Sequence, residues 1–564
     1  AQADSTSLTI GQFQVAAPPK KCLARRRRGL NAMGGHIDAV PSKVQNGAWW
    51  TLASCMSMML IAGTIYGFSF WSGALKHAYN LDQEHIEMLA VASHIGNYIV
   101  LDSGYITSKC GPVVGMMLGC TYASIGYFVL WLAIQVFPNQ VPFFVLVLMC
   151  ALFGHGCGTI DNAVMTEALA DFKEYKGNAN GCIKAYYGLA TATVAKIYNA
   201  IFAPNTAGFL LFLSIYAAGS GCVFVPVVKA TRGLVDEPLK RVKTKFRVLA
   251  VGIVTFAVYF FVIQLLSEHI NRKWRQVILF TVILGMASLF VLPFQRRRRR
   301  SAANKGQDTA EKGASSPEVA ASAQAFPPTR NVTGFEMLSY SDFWIFIIVC
   351  VIGQGNGLLF IGNASQILSA LAGQDMRLES HAFVATIAIF NSLARLSFGY
   401  GSEYFKSQVE RTWFLVLAMF LLCVGYAMAR LGGFTLLWPA MAFIGFGYGG
   451  LWGVQPTLIF ELFGPADYAF KYSCSTIAAA VGSIIFNDAI AGPVYAKYSG
   501  EENFCYTSKC YNWTFVAAGA CDIPALVLAV WLAHRTRWVY SMDGVQNVPS
   551  SGSEHGLSDD SSPE

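Results

Sequence analysis

Residues 178–202 read "NANGCIKAYYGLATATVAKIYNAIF". The run is long enough to cross a bilayer, yet it carries Lys184 and Lys196. An ammonium group in hydrocarbon is costly, so it faces a cavity, an acid or a surface. With a helix start at 181, Lys184 lies about one turn inside it at 3.6 residues per turn. Asp161, in "TIDNAV" near the end of the preceding apolar run, comes to a similar depth. Two readings compete for these residues: a structural pair or snorkelling lysine, and a group that touches a gate or a bound solute. From the same start, Lys196 lies roughly 22 Å along the helix at 1.5 Å per residue, past the middle of a bilayer. It asks for its own anion: Asp488, Asp522 or an anionic solute. A lipid-edge or water-exposed position is the alternative.

Other ionisable and amide groups fall inside apolar runs. His94 and His155 sit near the middle of theirs. Each is read either as a hydrogen-bonded packing residue or as a proton carrier, since histidine titrates near neutral pH. His155 lies in "GHGCG", whose glycines let helices approach closely. Asp488 and Asp522 fall deep in the last two runs, where a carboxyl either pairs or carries a proton. Gln354, Asn356 and Asn363 punctuate one run together with Gly353, Gly355 and Gly357. That pattern predicts either a broken helix with polar groups turned to a cavity or simple close packing. Thr64, Tyr66 and Ser69, with Trp452, Gln455 and Pro456, offer further polar and aromatic lining.

These residues need elements to carry them, and the composition says which. The 564 residues are 54% hydrophobic and 13% charged, about half the charged share of a soluble domain. About 20 apolar residues cross the hydrocarbon. Fourteen spans are predicted, over 49–74, 84–106, 112–135, 141–164, 181–203, 207–229, 246–267, 275–294, 341–364, 381–401, 411–430, 434–461, 470–495 and 512–534. The charge is clustered at Arg25–Arg28, Lys240–Arg247 and Arg296–Arg300. Alternating the chain from a cytoplasmic start puts all three clusters inside, as the positive-inside rule asks, and leaves both termini cytoplasmic. Their expected partner is anionic lipid; nucleic acid is excluded by the apolar spans around them.

The expected domains are a basic cytoplasmic tail over 1–45, a six-helix bundle over 46–235 and two central helices over 236–295. A disordered linker follows over 296–340, then a second six-helix bundle over 341–535 and an acidic tail over 536–564. Residues 1–45 hold no apolar signal-peptide core. The chain begins at Ala rather than Met, which leaves an upstream segment open. Cys505 and Cys510 share an outer loop, where an oxidising compartment favours a disulfide. No zinc spacing and no phosphate-cradling loop occur, so neither a metal nor a cofactor is expected.

An internal echo joins the two bundles. "GYITSKCG" (Gly104–Gly111) follows the second span, and "GYGSEYF" (Gly399–Phe405) follows the second span of the last six. Both resemble the Gly-x-x-x-Asp-Arg/Lys-x-Gly loop of the major facilitator superfamily. In that family the acid caps a neighbouring helix and latches the cytoplasmic gate. Here Gly104, Lys109 and Gly111 match the first copy, with Ser108 in the acid's place; Glu403 stands there in the second. "AGTIYGFSFWSGALK" (Ala62–Lys76), "FKEYKGNANGCIKAYYGLA" (Phe172–Ala190), "GQGNGLLFIGNASQI" (Gly353–Ile367) and "ELFGPADYAFKYS" (Glu461–Ser473) resemble the nodulin-like branch of that superfamily. So do "GSIIFNDAIAGPVYAKYSG" (Gly482–Gly500) and "CYTSKCY" (Cys505–Tyr511).

The resemblance implies an all-α integral membrane fold of the major-facilitator type and alternating access between bundles. The expected function is secondary active transport of a small solute, coupled to protons, with a monocarboxylate-like anion or another nutrient as cargo. The alternatives are a heme or iron transporter of the same fold and a transporter-like membrane sensor. An enzyme is not expected, because no catalytic set of His, Asp or Cys appears near a surface. Whether the membrane is the plasma membrane or an internal one is left open.

Overall fold

The computed structural model describes residues 47–233, 235, 237–265, 272–288, 331–499 and 505–540. The basic tail and most of the linker and of the acidic tail fall outside them. Every regular element among the described residues is helical. In chain order the helices are α1 (Gly47–Ala62), α2 (Ser72–Tyr79), α3 (Gln83–Tyr98), α4 (Leu101–Cys110), α5 (Pro112–Gln135), α6 (Phe143–Asp171), α7 (Lys176–Ile197) and α8 (Thr206–Thr231). Then come α9 (Leu239–Leu265), α10 (Arg272–Ala287), α11 (Ser341–Gly362), α12 (Ala364–Ala372), α13 (Arg377–Tyr404) and α14 (Thr412–Gly432). Last are α15 (Leu437–Phe463), α16 (Tyr468–Ser483), α17 (Gly492–Tyr498) and α18 (Lys509–Arg535). A 3-10 stretch Gly63–Phe70 continues α1, and π-helical stretches Tyr198–Phe202 and Ile484–Ala491 continue α7 and α16.

Among the described residues ten helices are long and apolar enough to cross a membrane. The remaining four of the fourteen expected spans are helical too where they are described, residues 289–294 lying outside the described residues. Of these, α10 has a short apolar stretch, Trp274–Gly285, and α7 and α15 are long but richer in polar residues and glycine. The span expected over 84–106 is interrupted: α3 ends at Tyr98 and α4 begins at Leu101. There the Tyr98 carbonyl accepts a hydrogen bond from Thr476 Oγ1 at 3.0 Å, which satisfies a group the break releases. Pro456 does not end its helix, since α15 continues to Phe463.

Local sequence explains the ends. Asp82 caps α3 by accepting the His85 N–H at 2.8 Å, and Asn205 caps α8 by accepting that of Gly208 at 2.9 Å. Both satisfy N–H groups that lack intrahelical partners. Gly111, at φ +96°, turns the chain between α4 and α5, a conformation that favours glycine.

Small residues set how closely the helices pack. In "GHGCG", a Cβ on Gly154 or Gly158 would fall 2.0 Å from the Ser93 or Asn97 carbonyl oxygen of α3. One on Gly156 would fall 2.3 Å from the Ala123 nitrogen of α5. α6 is therefore pressed between α3 and α5, with His155 held at the seam. Gly181 and Gly188 do the same for α7 against α13, the principal crossing between the earlier and later helices. Gly353, Gly355 and Gly357 lie against Leu451, Gly482 and Tyr448. α11 is accordingly continuous rather than broken: its glycines serve packing.

α9 docks where α1, α7 and α13 converge. Phe246 packs against Trp49, Phe172 and Tyr400, and its carbonyl accepts from the Tyr400 hydroxyl at 2.6 Å. Lys245 is buried beside it, paired with Glu237 at 2.7 Å.

Candidate functional site

A narrow cavity of about 10 Å³, room for a single water in this conformation, lies between α3, α6 and α7 on one side and α13, α15 and α16 on the other. Lys184 Nζ donates to both oxygens of Asp161, at 2.6 and 2.7 Å, and to the Tyr472 hydroxyl at 2.7 Å. The Tyr472 hydroxyl in turn donates to Asp161 Oδ2 at 3.0 Å. The sequence matched Asp161 and Lys184 by depth alone; the structure brings them together. It also corrects where they are. α7 begins at Lys176 rather than 181, so Lys184 sits roughly 12 Å along its helix at 1.5 Å per residue. The pair lines the central cavity, not the gate.

Arg395 of α13, absent from the sequence-based candidates, completes the site. It is fully buried and lines the same cavity. Its Nε donates to Asn391 Oδ1 at 3.0 Å and its Nη1 to the Lys184 carbonyl at 3.4 Å. Nη2 has no hydrogen-bond partner, and the Tyr66 phenol neighbours the guanidinium. Asp161 offsets Lys184, so the charged side chains lining the cavity leave one positive charge, on Arg395. Aromatic faces wall it in: Tyr187 lies 5.2 Å and Trp452 6.0 Å from the guanidinium. Tyr98 stacks on Trp452 with centroids 5.9 Å apart. Asn97 Oδ1 is a further buried polar atom without a partner. The signal for Arg395 was present in the sequence, since an arginine inside an apolar span is functional by default.

Lys196 moves the other way. With α7 starting earlier, it falls in the last turn of the helix, just before the π-helical stretch. It is partly buried, with the like charge of Arg275 on α10 nearby. The expected acids are elsewhere: Asp522 accepts from Asn356 Nδ2 at 2.7 Å, and Asp488 is exposed in the π-helical stretch of α16. Lys196 thus lies near the end of the α-helical part of α7, and the π-helical stretch carries the helix on past it.

The amides of α11 bond to neighbouring helices instead of lining the cavity. Gln354 Nε2 donates to Gln455 Oε1 at 2.5 Å. Asn363 Nδ2 donates to Asn487 Oδ1 at 2.9 Å. Thr64 turns to the Tyr127 hydroxyl at 2.7 Å. His155 Nε2 lies 2.9 Å from Ser103 Oγ and 3.2 Å from Asp102 Oδ2, so its ring is held by α4. His94 stacks on Tyr98 with centroids 6.2 Å apart, and its Nδ1 is buried without a partner. Cys505 and Cys510 are joined in a disulfide. Among the described residues no group of three His, Cys, Asp or Glu could hold a metal.

At the face where α1 begins and α18 ends, two loops clasp opposite helices. Glu403, at the end of α13, accepts from the Gly177 N–H in the first turn of α7 at 2.8 Å. It is held by Lys406 at 2.7 Å and Arg411 at 3.0 Å. Arg411 also reaches Glu461 of α15 at 3.0 Å. In the echo of this motif, Ser108 Oγ accepts from the Phe470 N–H in the first turn of α16 at 3.0 Å. Lys109 reaches Asp467 at 3.1 Å. Gly104 allows this approach, because a Cβ there would fall 2.2 Å from Ser473 Oγ. A helix N-terminus offers unpartnered N–H groups and partial positive charge, so a serine or a glutamate can cap it.

Comparison with known proteins now bears on this arrangement. The family model described as Nodulin-like matches residues 48–295, and that described as NFD4, C-terminal domain, matches residues 329–542. The two models together span most of the chain, which is similar to nodulin-like proteins over its earlier half and to the NFD4 C-terminal domain over its later half. The Arabidopsis thaliana protein nuclear fusion defective 4 is 25% identical to this chain over 89% of it and 91% of the relative. A probable transporter MCH1 of Wickerhamomyces anomalus is 23% identical over 83% and 82%. The solved proton:xylose symporter XylE, bound to 6-bromo-6-deoxy-D-glucose, aligns at 12% identity and a TM-score of 0.49, over 85% of this chain and 94% of its own. With its apolar helices, the chain is a multi-pass membrane protein, similar over most of its length to a probable transporter.

Proposed function

We propose that this protein carries a small organic anion across the membrane by alternating access, coupled to protons. The observation that carries the reading is the Arg395 guanidinium edge, buried in a central cavity with Nη2 unpartnered and no acid of its own. A buried guanidinium nitrogen is costly to leave unbonded, and a carboxylate matches it in charge and planar geometry. Aromatic walls favour a compact carboxylate with an apolar body, which is the monocarboxylate class. Helices α1–α8 and α11–α18 are the two moving units, with both termini cytoplasmic. The Glu403 and Ser108 contacts then latch the cytoplasmic side, and α9 and α10 bridge the units.

The test is thermal stability of the purified chain against monocarboxylates, amino acids, nucleosides, heme and ferrous iron, at acidic and neutral pH. A ligand that binds only the folded state raises the melting temperature by mass action. A pH-dependent rise with a monocarboxylate, lost in Arg395→Gln, supports the reading. A rise with heme or iron alone sinks it. Flux of the stabilising anion into liposomes separates a transporter from a sensor, which binds without moving its ligand.

A further inference from the structure

The later helices hold a carboxyl that the cavity does not use. Asp522, in α18, is fully buried. Its Oδ1 accepts from Asn356 Nδ2 of α11 at 2.7 Å, and the same nitrogen donates to the Ala518 carbonyl at 3.2 Å. Both remaining oxygens of this pair, Asp522 Oδ2 and Asn356 Oδ1, are buried acceptors without a donor. Two such orphans on the partners of one hydrogen bond are an outcome native packing avoids. A single proton on Oδ2 turns one acceptor into a donor.

Nothing nearby would balance an ionised carboxylate there. The titratable groups facing Asp522 are the Cys423 thiol and Tyr426 phenol of α14, with Cys521 on its own helix. The Tyr426 hydroxyl is spent on the Asn356 carbonyl at 2.6 Å. α11 presents the Asn356 amide. From α12, α17 and the π-helical stretch of α16, no Lys, Arg or His pairs with Asp522 among the described residues. An unpaired buried charge costs several kcal/mol, and a bound proton removes it.

The pair is connected to the cavity through buried hydrogen bonds. Two residues before Asn356 on α11, Gln354 bonds Gln455 of α15 at 2.5 Å. Gln455 donates to Ser475 Oγ at 3.1 Å, and Ser475 Oγ donates to the carbonyl of Tyr472 at 2.7 Å. Tyr472 carries the hydroxyl that meets Lys184 and Asp161. A shift of α11 therefore changes both the Asp522 contact and the packing behind the cavity.

We propose that Asp522 is a proton-binding site: it holds a proton against Asn356 in this conformation and releases it when α11 and α18 move apart. Its part in coupling rests on the anion-transport reading; its proton occupancy does not.

Infrared spectra of the purified full chain at neutral pH, in H2O and D2O, read the carbonyl of a protonated carboxyl directly. Wild type is expected to show such a band with a deuterium shift, and Asp522→Asn to lose it. Asn356→Leu keeps the acid and removes its amide partner, so it is expected to move the band. A band unchanged in Asp522→Asn overturns the proposal, as does an unmoved band in Asn356→Leu if the first variant does not fold. Coupling is read separately in liposomes with lactate as the probe. Asp522→Asn is expected to keep lactate–lactate exchange and lose accumulation driven by a proton gradient. Retained accumulation overturns the coupling role. Absence of lactate flux in wild type overturns the lactate reading of the cavity and leaves the infrared result standing.

Discussion

Ser108 Oγ accepts a hydrogen bond from the Phe470 N–H at 3.0 Å, as Glu403 does from the Gly177 N–H at 2.8 Å. Each contact ties a loop of one set of helices to the first turn of a helix in the other. The two are unequal in kind. Serine supplies a neutral acceptor with a half-exposed Lys109–Asp467 pair beside it. Glutamate supplies charge and is enclosed by Arg411 and Lys406.

Ser108→Ala is therefore expected to cost about 0.5–2 kcal/mol, the range for a lost helix cap. Glu403→Gln removes one of the two carboxylates on a buried guanidinium, with Glu461 left in place, and weakens charge-assisted hydrogen bonds worth about 1.5–3 kcal/mol, so it is expected to cost more. Thermal melts of the two variants in detergent check the order. Equal losses would mean that the charge of Glu403 contributes nothing to the clasp.

Lys184 and Asp161 lie 2.6 Å apart inside the cavity wall. Removing one leaves the other uncompensated, so Lys184→Met and Asp161→Asn are each expected to destabilise by about 3–5 kcal/mol. The double variant is expected to lose less than the sum, because both changes act on one pair. Additive losses would argue that each residue is held by other contacts.

Arg395→Gln is expected to abolish the anion-dependent rise in melting temperature while leaving the Lys184–Asp161 pair in place. Arg395→Lys should restore only part of the rise, since an ammonium cannot present the planar fork of a guanidinium. An undiminished rise in Arg395→Gln would move the anion site elsewhere.

Lys196→Gln is expected to leave anion binding unchanged. Substitutions of partly exposed groups outside such a site usually change stability by about 0.5 kcal/mol or less, so a small change of stability is the whole expected effect. Weakened anion binding in a well-folded variant would return Lys196 to the site.

Depth along a helix was legible from the sequence wherever its start was. Apolar runs, loop charges and the paired Gly-Tyr motifs determined a polytopic helical membrane protein, and the matched depth of Asp161 and Lys184 put them within reach. A start misplaced from Lys176 to 181 shifted the depth expected of Lys196 by roughly 8 Å, because error in the start carries along the axis at 1.5 Å per residue. Direction around the helix was not legible, since facing depends on which neighbours pack against it. Only the tertiary structure decided that Gln354 and Asn356 turn to α15 and α18, that Arg395 turns to the cavity, and that a serine can cap a helix brought to it by Gly104. Hydrogen bonds across helices fixed those choices, and one strand of sequence carries no record of the distances between its helices.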